Sequence, residues 1–513
     1  MAMVESIDPR TGAVIGALGD GSAPGDVDLA CNAAASAAPG LEAFGRAGRA
    51  AMLRRMASEF ESKRAEVVAL ADRETGIGPV RLDGELTRTT FQMRLFADVL
   101  DEGSYLEAVI DHSGTTAMGL RPDLRRMLVP IGPVAVFGAS NFPLAFSVPG
   151  GDTVSALAAG SPVVIKAHDS HPATSNLCAD LLRKVVREIG APDGTVGLLH
   201  GQAAGAKLVT QPAVKAVGFT GSLSAGRALL DLIGQRPDPI PFYGELSSLN
   251  PVVITEEAAR KRGPDIARGL VSSFTVSAGQ LCTKPGLVFI PSGAAGDHTV
   301  AQMREALKDA PQLVLLNERI RDAFAADSHV LRSRADITVL HATDVTMTDG
   351  FHGGALLLEV AASKLSADAL EEHFGPIAII ARYSNDDALL AQLPMLPSSL
   401  TATIHSDPVE AEFVQAVTAV LRERAGRLIY DQYPTGVAVS WAQHHGGPWP
   451  STNTSHTSVG PTAIRRFLRP LTWQNSPEHV LPFELREDNR DVPRRIDGEL
   501  VQASLTRHTT ERR

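Results

Sequence analysis

From Val134 onward the chain alternates short apolar runs with helical segments, and that alternation limits the folds open to it more than any other feature. Val134-Ala135-Val136-Phe137 and Val163-Val164-Ile165 read as fully buried strands. After the second, Leu177, Leu181, Val185 and Ile189 form one helical stripe that stops at Gly190. A helix is expected near Pro143, a residue suited to a first helical turn. Further strands are predicted at 195–199, 216–219 and 240–243. Strand–helix alternation of this kind implies a parallel, doubly wound α/β sheet, with ligands at the C-terminal ends of its strands.

A second α/β region is predicted from about 248 to 445. It holds the strand 377–380 and a long helix over about 408–423. The first hundred residues read as helical, with segments at 28–38, 48–73 and 83–101 after a turn at 8–12. Two stretches, 115–130 and 463–475, alternate apolar and charged residues and are expected to be arm-like strands. The last dozen residues are polar and expected to fray.

Composition removes several function classes. Forty-eight basic against 58 acidic residues leave a net charge of −10, and no basic block of the kind that tracks nucleic acid occurs. No apolar run is long enough to span a membrane. The first residues lack the basic and apolar regions of a signal peptide. Cys31, Cys178 and Cys282 are too few and too dispersed for a disulfide framework or a zinc site, and they suit a reducing compartment. A cytoplasmic location is expected.

Of the three cysteines, Cys282 has the most informative surroundings. Ile266, Leu270 and Phe274 give the preceding helix a buried stripe, Gly279 turns the chain, and Gly286-Leu287-Val288-Phe289-Ile290 follows as a core strand. A thiol between helix and strand can lie at the floor of a cleft as a nucleophile, or it can be a small buried hydrophobe. Other residues pose similar pairs of readings. Gly221-Ser222-Leu223-Ser224-Ala225-Gly226 follows a strand and opens a helix, where backbone N–H groups attract a pyrophosphate; a plain tight turn fits equally. Lys166 ends a strand, where a nucleotide ribose or only solvent would meet it. The Asn141 amide could stabilise an oxyanion or cap the next helix. Glu245 leaves an apolar strand, so burial should raise its pKa toward that of a general base, unless it serves as a cap or ion-pair partner. The pair His444-His445 has no carboxylate or cysteine at ligand spacing, so a structural loop is favoured and no metal is expected.

Taken together these residues resemble the aldehyde dehydrogenase superfamily. Asn141-Phe142-Pro143, Lys166, the Gly221–Gly226 turn, Glu245-Leu246, Gly279-Gln280-Leu281-Cys282 and Glu372-His373-Phe374-Gly375-Pro376 occur in that superfamily's order. The finer likeness is to α-ketoglutaric semialdehyde (2,5-dioxovalerate) dehydrogenases and related fatty-aldehyde dehydrogenases. It is carried by Gly138–Pro143, Lys166-Ala167-His168, Phe219–Ser222, Pro434-Thr435-Gly436-Val437, His445-Gly446-Gly447-Pro448, Thr457–Gly460 and Arg466–Pro470. The resemblance implies an α/β fold with two doubly wound, Rossmann-like domains plus β-strand oligomerisation arms. The NAD(P)-binding domain would comprise 1–114 and 131–247, the catalytic domain 248–445, and the arms 115–130 and 463–475. It also implies a homodimer or homotetramer.

The same resemblance implies the chemistry. Cys282 would attack the aldehyde to give a thiohemiacetal, with Asn141 and the Cys282 N–H holding the oxyanion. Hydride transfer to the nicotinamide would leave a thioester, which water activated by Glu245 would hydrolyse. Cofactor contacts would come from Lys166, His168, Asp169, Gly221, Ser222, Gly226, Leu246, Glu372 and Phe374. The superfamily commonly has two glycines where this chain has Ser247 and Ser248, and the added bulk could slow cofactor movement.

Substrate expectations favour α-ketoglutaric semialdehyde over a medium- or long-chain aldehyde, with Arg94 the candidate for the distal carboxylate. Arg94 could equally snorkel to solvent or meet a nearby acid. The cofactor is NAD or NADP; the lean is to NAD, because Asp169 would repel a 2′-phosphate, although protonation of His168 could soften that repulsion. A cofactor-free thiol hydrolase would leave Lys166, Glu372 and the glycine turn without a role. An idle binding protein would leave Cys282 and Glu245 without one.

Overall fold

The computed structural model describes residues 3–503. Most of the C-terminal stretch expected to fray lies outside that range. Five parallel strands form the first sheet, in the order Phe242–Glu245, Ala216–Thr220, Val134–Phe137, Val163–Lys166, Val196–Leu199. Val134, Val163, Val164, Ile165, Ala216 and Val217 are fully buried. At roughly 1.5–3 kcal/mol for each large aliphatic side chain removed from water, these strands form the centre of a core and cannot sit at an edge. The four N-terminal helices, Pro24–Ala43, Gly45–Ser62, Arg64–Thr75 and Pro79–Glu102, contribute many of the apolar side chains packed around it.

A seven-stranded sheet follows: Thr338–Ala342, Leu356–Ala361, Ile377–Tyr383, Leu287–Pro291, Val252–Ile254, Ser399–His405, Ala425–Tyr430. All its pairings are parallel except that of the edge strand Thr338–Ala342. The helix Glu256–Thr275 packs on it through Ile266, Leu270 and Phe274, the stripe predicted from spacing.

Both predicted arms enter a third sheet. Leu124–Pro130 pairs antiparallel with Leu468–Gln474, from Leu468↔Pro130 to Gln474↔Leu124, and Ala108–Asp111, Arg494–Ile496 and Glu499–Val501 complete it. The arms are shorter than expected: Gly114–Thr116 and Gly119–Arg121 form a separate hairpin, and Pro461–Phe467 is 3-10 helix.

Other elements also differ from expectation. The turn at 8–12 joins two strands, Met3–Asp8 and Ala13–Asp20, so the chain opens as a hairpin rather than with helices. The segment 408–423 divides into a 3-10 turn, Pro408–Glu410, and the helix Ala411–Leu421. No helix starts at Pro143. Residues 142–150 run as turns, and the helix is Gly151–Ala159. The cause is tertiary: the buried Glu85 carboxylate accepts the Leu144 and Ala145 N–H groups at 2.8 and 2.9 Å. Arg81 donates to the Asn141 carbonyl at 2.8 Å. Among the described residues no helix is long and apolar enough to cross a membrane.

Candidate active site

The C-terminal strand ends of the first sheet and the N-terminal strand ends of the second face one cleft of about 750 Å³, whose walls include Asn141, His168, Gly221, Ser222, Glu245, Leu246, Ser247, Cys282, Glu372 and Phe374. The chain reaches Cys282 through three consecutive left-handed residues, Ser277, Ala278 and Gly279, at φ 54°, 56° and 66°. A Cβ at Gly279 would lie 2.3 Å from the Gly375 carbonyl oxygen, so the turn admits no side chain there. Asn250 then braces the far side by donating to the Cys282 carbonyl at 2.8 Å and the Lys284 carbonyl at 3.0 Å.

Three side chains from distant parts of the chain meet at the thiol. The Cys282 sulfur lies 3.6 Å from His445 Nε2, which lies 3.1 Å from Glu245 Oε1. Ser458 donates to the other Glu245 oxygen at 3.0 Å. The His445 backbone is held by the Thr457 hydroxyl at 2.8 Å and by Ser458 N–H at 2.9 Å. The loop expected to be merely structural therefore supplies a third side chain to the site: His445 Nε2 donates to the Glu245 carboxylate, which in turn accepts from the Cys282 thiol. Only spacing to Cys282 or Glu245 in sequence could have flagged it, and that separation is 163 and 200 residues. The ligand atoms of Glu245, Cys282 and His445 lie within 4.8 Å of one another, close enough to share a proton or to hold a cation.

The electrostatics correct one expectation. Burial pushes the Glu245 pKa up, as argued from sequence, but His445, Cys282 and Ser458 outweigh it and leave the carboxyl below its ordinary value. Glu245 is therefore an anion in the resting site. Cys282 goes the other way: burial, with the charges of Glu245 and Glu372, holds its thiol well above the ordinary value. Cys31 and Cys178 are also buried and raised, Cys31 to about 11, and both lie in the hydrophobic core, which removes them as nucleophiles.

Asn141 does not cap a helix. Its buried amide donates to the Gln280 carbonyl at 2.9 Å, beside the nucleophile's turn. Across the cleft, burial raises Glu372 to about 7, against the nearby Lys284 cation and bonds from Ser247 and Ser248. Burial in turn lowers Lys284 to about 8, with Glu372 opposing. Ser248 adds no bulk to the cleft. Its hydroxyl donates to Asn250 Oδ1 at 2.7 Å and accepts from Leu400 N–H at 2.8 Å, bracing the residue that braces Cys282.

At the nucleotide end, Ser222 caps the helix Leu223–Gly234, with its hydroxyl accepting Ala225 N–H at 3.3 Å. Gly221 and Ser222 line the cleft, where the helix N-terminus favours an anion. Gly226 instead lets the helix approach Leu246, whose side chain an added Cβ would meet at 2.3 Å. Lys166 ends its strand and donates to Asp169 at 2.9 Å. His168 is half-buried on the cleft wall, and desolvation, His171, Lys166 and Arg319 depress its pKa well below the ordinary value. It stays neutral, so the protonation that could have softened the repulsion at Asp169 does not occur. Arg94 is remote from the cleft: it is half-exposed and lies 3.8 Å from Glu61.

Residues 2–321 match the family model described as "Aldehyde dehydrogenase family". The chain belongs to the aldehyde dehydrogenase family. Its reaction is the NAD(P)-dependent oxidation of an aldehyde to a carboxylic acid. This dehydrogenase is 43% identical over 503 residues to alpha-ketoglutaric semialdehyde dehydrogenase 2 of Azospirillum brasilense, with 96% of each chain covered. It is 39% identical to alpha-ketoglutaric semialdehyde dehydrogenase of Acinetobacter baylyi, over 93% of this chain and 92% of that one. In fold it is similar to lactaldehyde dehydrogenase from Escherichia coli, at a TM-score of 0.80 and 20% identity, covering 92% of this chain and 95% of that one.

Proposed function

We propose that this dehydrogenase oxidises α-ketoglutaric semialdehyde to 2-oxoglutarate in the cytoplasm, with Cys282 as nucleophile. The observation that carries the catalytic part is the contact chain Cys282–His445–Glu245 at 3.6 and 3.1 Å. The substrate rests on 43% and 39% identity to two enzymes of that name.

The Glu245 carboxylate, which the Cys282 thiol hydrogen-bonds and the His445 Nε2–H holds ionised, takes the thiol proton as sulfur bonds to the aldehyde carbon, and the Asn141 amide with the Cys282 N–H receives the negative charge forming on oxygen. Bound NAD(P) supplies the hydride acceptor, and the walls Gly221, Ser222, Leu246, Glu372 and Phe374 fit it in size and polarity. Loss of hydride leaves a thioester on Cys282. Glu245, ionised again once that proton has passed to solvent, then removes a proton from water as its oxygen adds to the thioester carbon. The C–S bond breaks, the acid leaves, and the thiolate recovers its proton.

Engagement of Lys166 by Asp169 supports two ribose hydroxyls better than a phosphate, so NAD is the proposed cofactor. Residues 1–114 and 131–247 would bind it and 248–445 would carry the nucleophile. The arm sheet would join copies into a homodimer or homotetramer, with Met118 and Leu120 exposed on the adjoining hairpin. Absorbance at 340 nm tests the substrate. Expected is a higher kcat/KM for the five-carbon keto-semialdehyde than for an aldehyde of ten or more carbons. The reverse order would overturn the assignment, and a tenfold advantage for NADP would overturn that of the cofactor.

A further inference from the structure

Arg81, Glu85 and Arg88 lie at successive turns of the helix Pro79–Glu102, on the face turned toward the Asn141 loop. The first two have structural work. Arg81 donates to the Asn141 carbonyl and lies 4.5 Å from the Phe142 ring centre, and Glu85 accepts two N–H groups of the loop.

Arg88 differs. Its Nη1 donates to the Val437 carbonyl, and its guanidinium lies 5.5 Å from the centre of the Phe146 ring. Its Nε and Nη2 are buried and have no hydrogen-bond partner among the described residues. These two nitrogens share one edge of the planar guanidinium, an edge that pairs with a carboxylate through two parallel N–H···O bonds. Because Nη1 is tied to Val437, that edge is fixed in direction. A buried cationic donor pair left open is costly to the fold, so its role lies with a ligand rather than with stability.

Arg88 lies beside the chemistry. On its other side Phe146 packs against the His445 ring, centre to centre 6.3 Å, and His445 touches the Cys282 sulfur. Burial lowers the Arg88 pKa, while Cys282, Glu85 and Glu245 act on it electrostatically in the opposite direction. A second guanidinium backs the same wall: Arg427 donates to the Pro434 and Gly436 carbonyls at 2.8 and 3.0 Å. Two cations thus hold the loop 434–437 next to the nucleophile.

We propose that the Nε/Nη2 edge of Arg88 binds the distal carboxylate of a dicarboxylic semialdehyde while its aldehyde carbon meets Cys282. This rests on the substrate reading above and deepens it by naming the residue that selects for acid-bearing aldehydes. An uncharged aliphatic aldehyde would desolvate the same edge without pairing it and be disfavoured.

The test compares kcat/KM for the five-carbon keto-semialdehyde with that for pentanal, in wild type, Arg88→Met and Arg88→Lys. A ratio within one preparation is independent of the fraction of folded enzyme. Wild type should favour the acid strongly. In Arg88→Met the ratio should fall about a hundredfold, or ~2.7 kcal/mol, chiefly through KM. Arg88→Lys should fall less, keeping charge but losing the two-pronged edge, and glutarate should lose potency as a competitive inhibitor in the same order. A wild type that favours pentanal overturns the substrate reading, and this proposal with it. A wild type that favours the acid, with a ratio within threefold of it in Arg88→Met, overturns Arg88 alone.

Discussion

Replacing His445 with Leu removes the N–H that bonds Glu245 at 3.1 Å and holds its carboxyl ionised, ready to take the Cys282 proton. The Cys282 thiol is raised well above 9.0 by burial and by the Glu245 and Glu372 charges. The thiol is therefore protonated at neutral pH and needs a base to ionise, and burial leaves Glu245 protonated once His445 is gone. Loss of His445 should lower kcat/KM by about 10²–10³, some 2.7–4.1 kcal/mol, within the range for loss of one general base. Two assays separate this from a packing defect. Initial rates at 340 nm should climb about tenfold per pH unit from pH 7 to 9 in His445→Leu, since hydroxide then does what the carboxylate did, and should climb less in wild type. Alkylation of Cys282 by iodoacetamide, which needs the thiolate but no cofactor, should slow by a similar factor. Wild-type alkylation rates in His445→Leu would refute the role of His445 in ionising the thiol, whatever happened to turnover.

Glu245→Gln should slow the burst of reduced cofactor in stopped flow and all but stop the turnover that follows it, since both the thiol and the hydrolytic water lose their base; wild-type steady-state rates would move that base elsewhere. Glu372, raised to about 7 by burial, is a carboxylate above that pH and neutral below it. Since ribose hydroxyls bond the anion better, NAD affinity should weaken as pH falls from 8 to 6, and titration by fluorescence should show that slope lost in Glu372→Gln.

Much of this architecture was legible in the chain before any coordinates. Val134–Phe137 is apolar along its whole length and Val163–Lys166 up to Ile165, and only a strand covered on both faces buries such a run, so periodicity alone implied a parallel sheet. Ile266, Leu270 and Phe274 placed the helix before Cys282 for the same reason, because local spacing determines which side chains share a face.

What failed was decided by partners far away in sequence. Pro143 carries a helix-start signal, yet Glu85 captures the N–H groups of Leu144 and Ala145, and a buried carboxylate outweighs local propensity. Burial predicted a raised Glu245 carboxyl, but the sign reversed once His445 lay 3.1 Å away. Arg94 and Arg88 stand on one helix six residues apart, so they point to different sides; only tertiary packing shows that Arg94 meets Glu61 and solvent while Arg88 faces the Cys282 site. Spacing along the chain encodes faces and turns. Which charges meet across 200 residues is settled only when the sheets come together, since Coulomb and hydrogen-bond energies depend on angstroms and not on position in sequence.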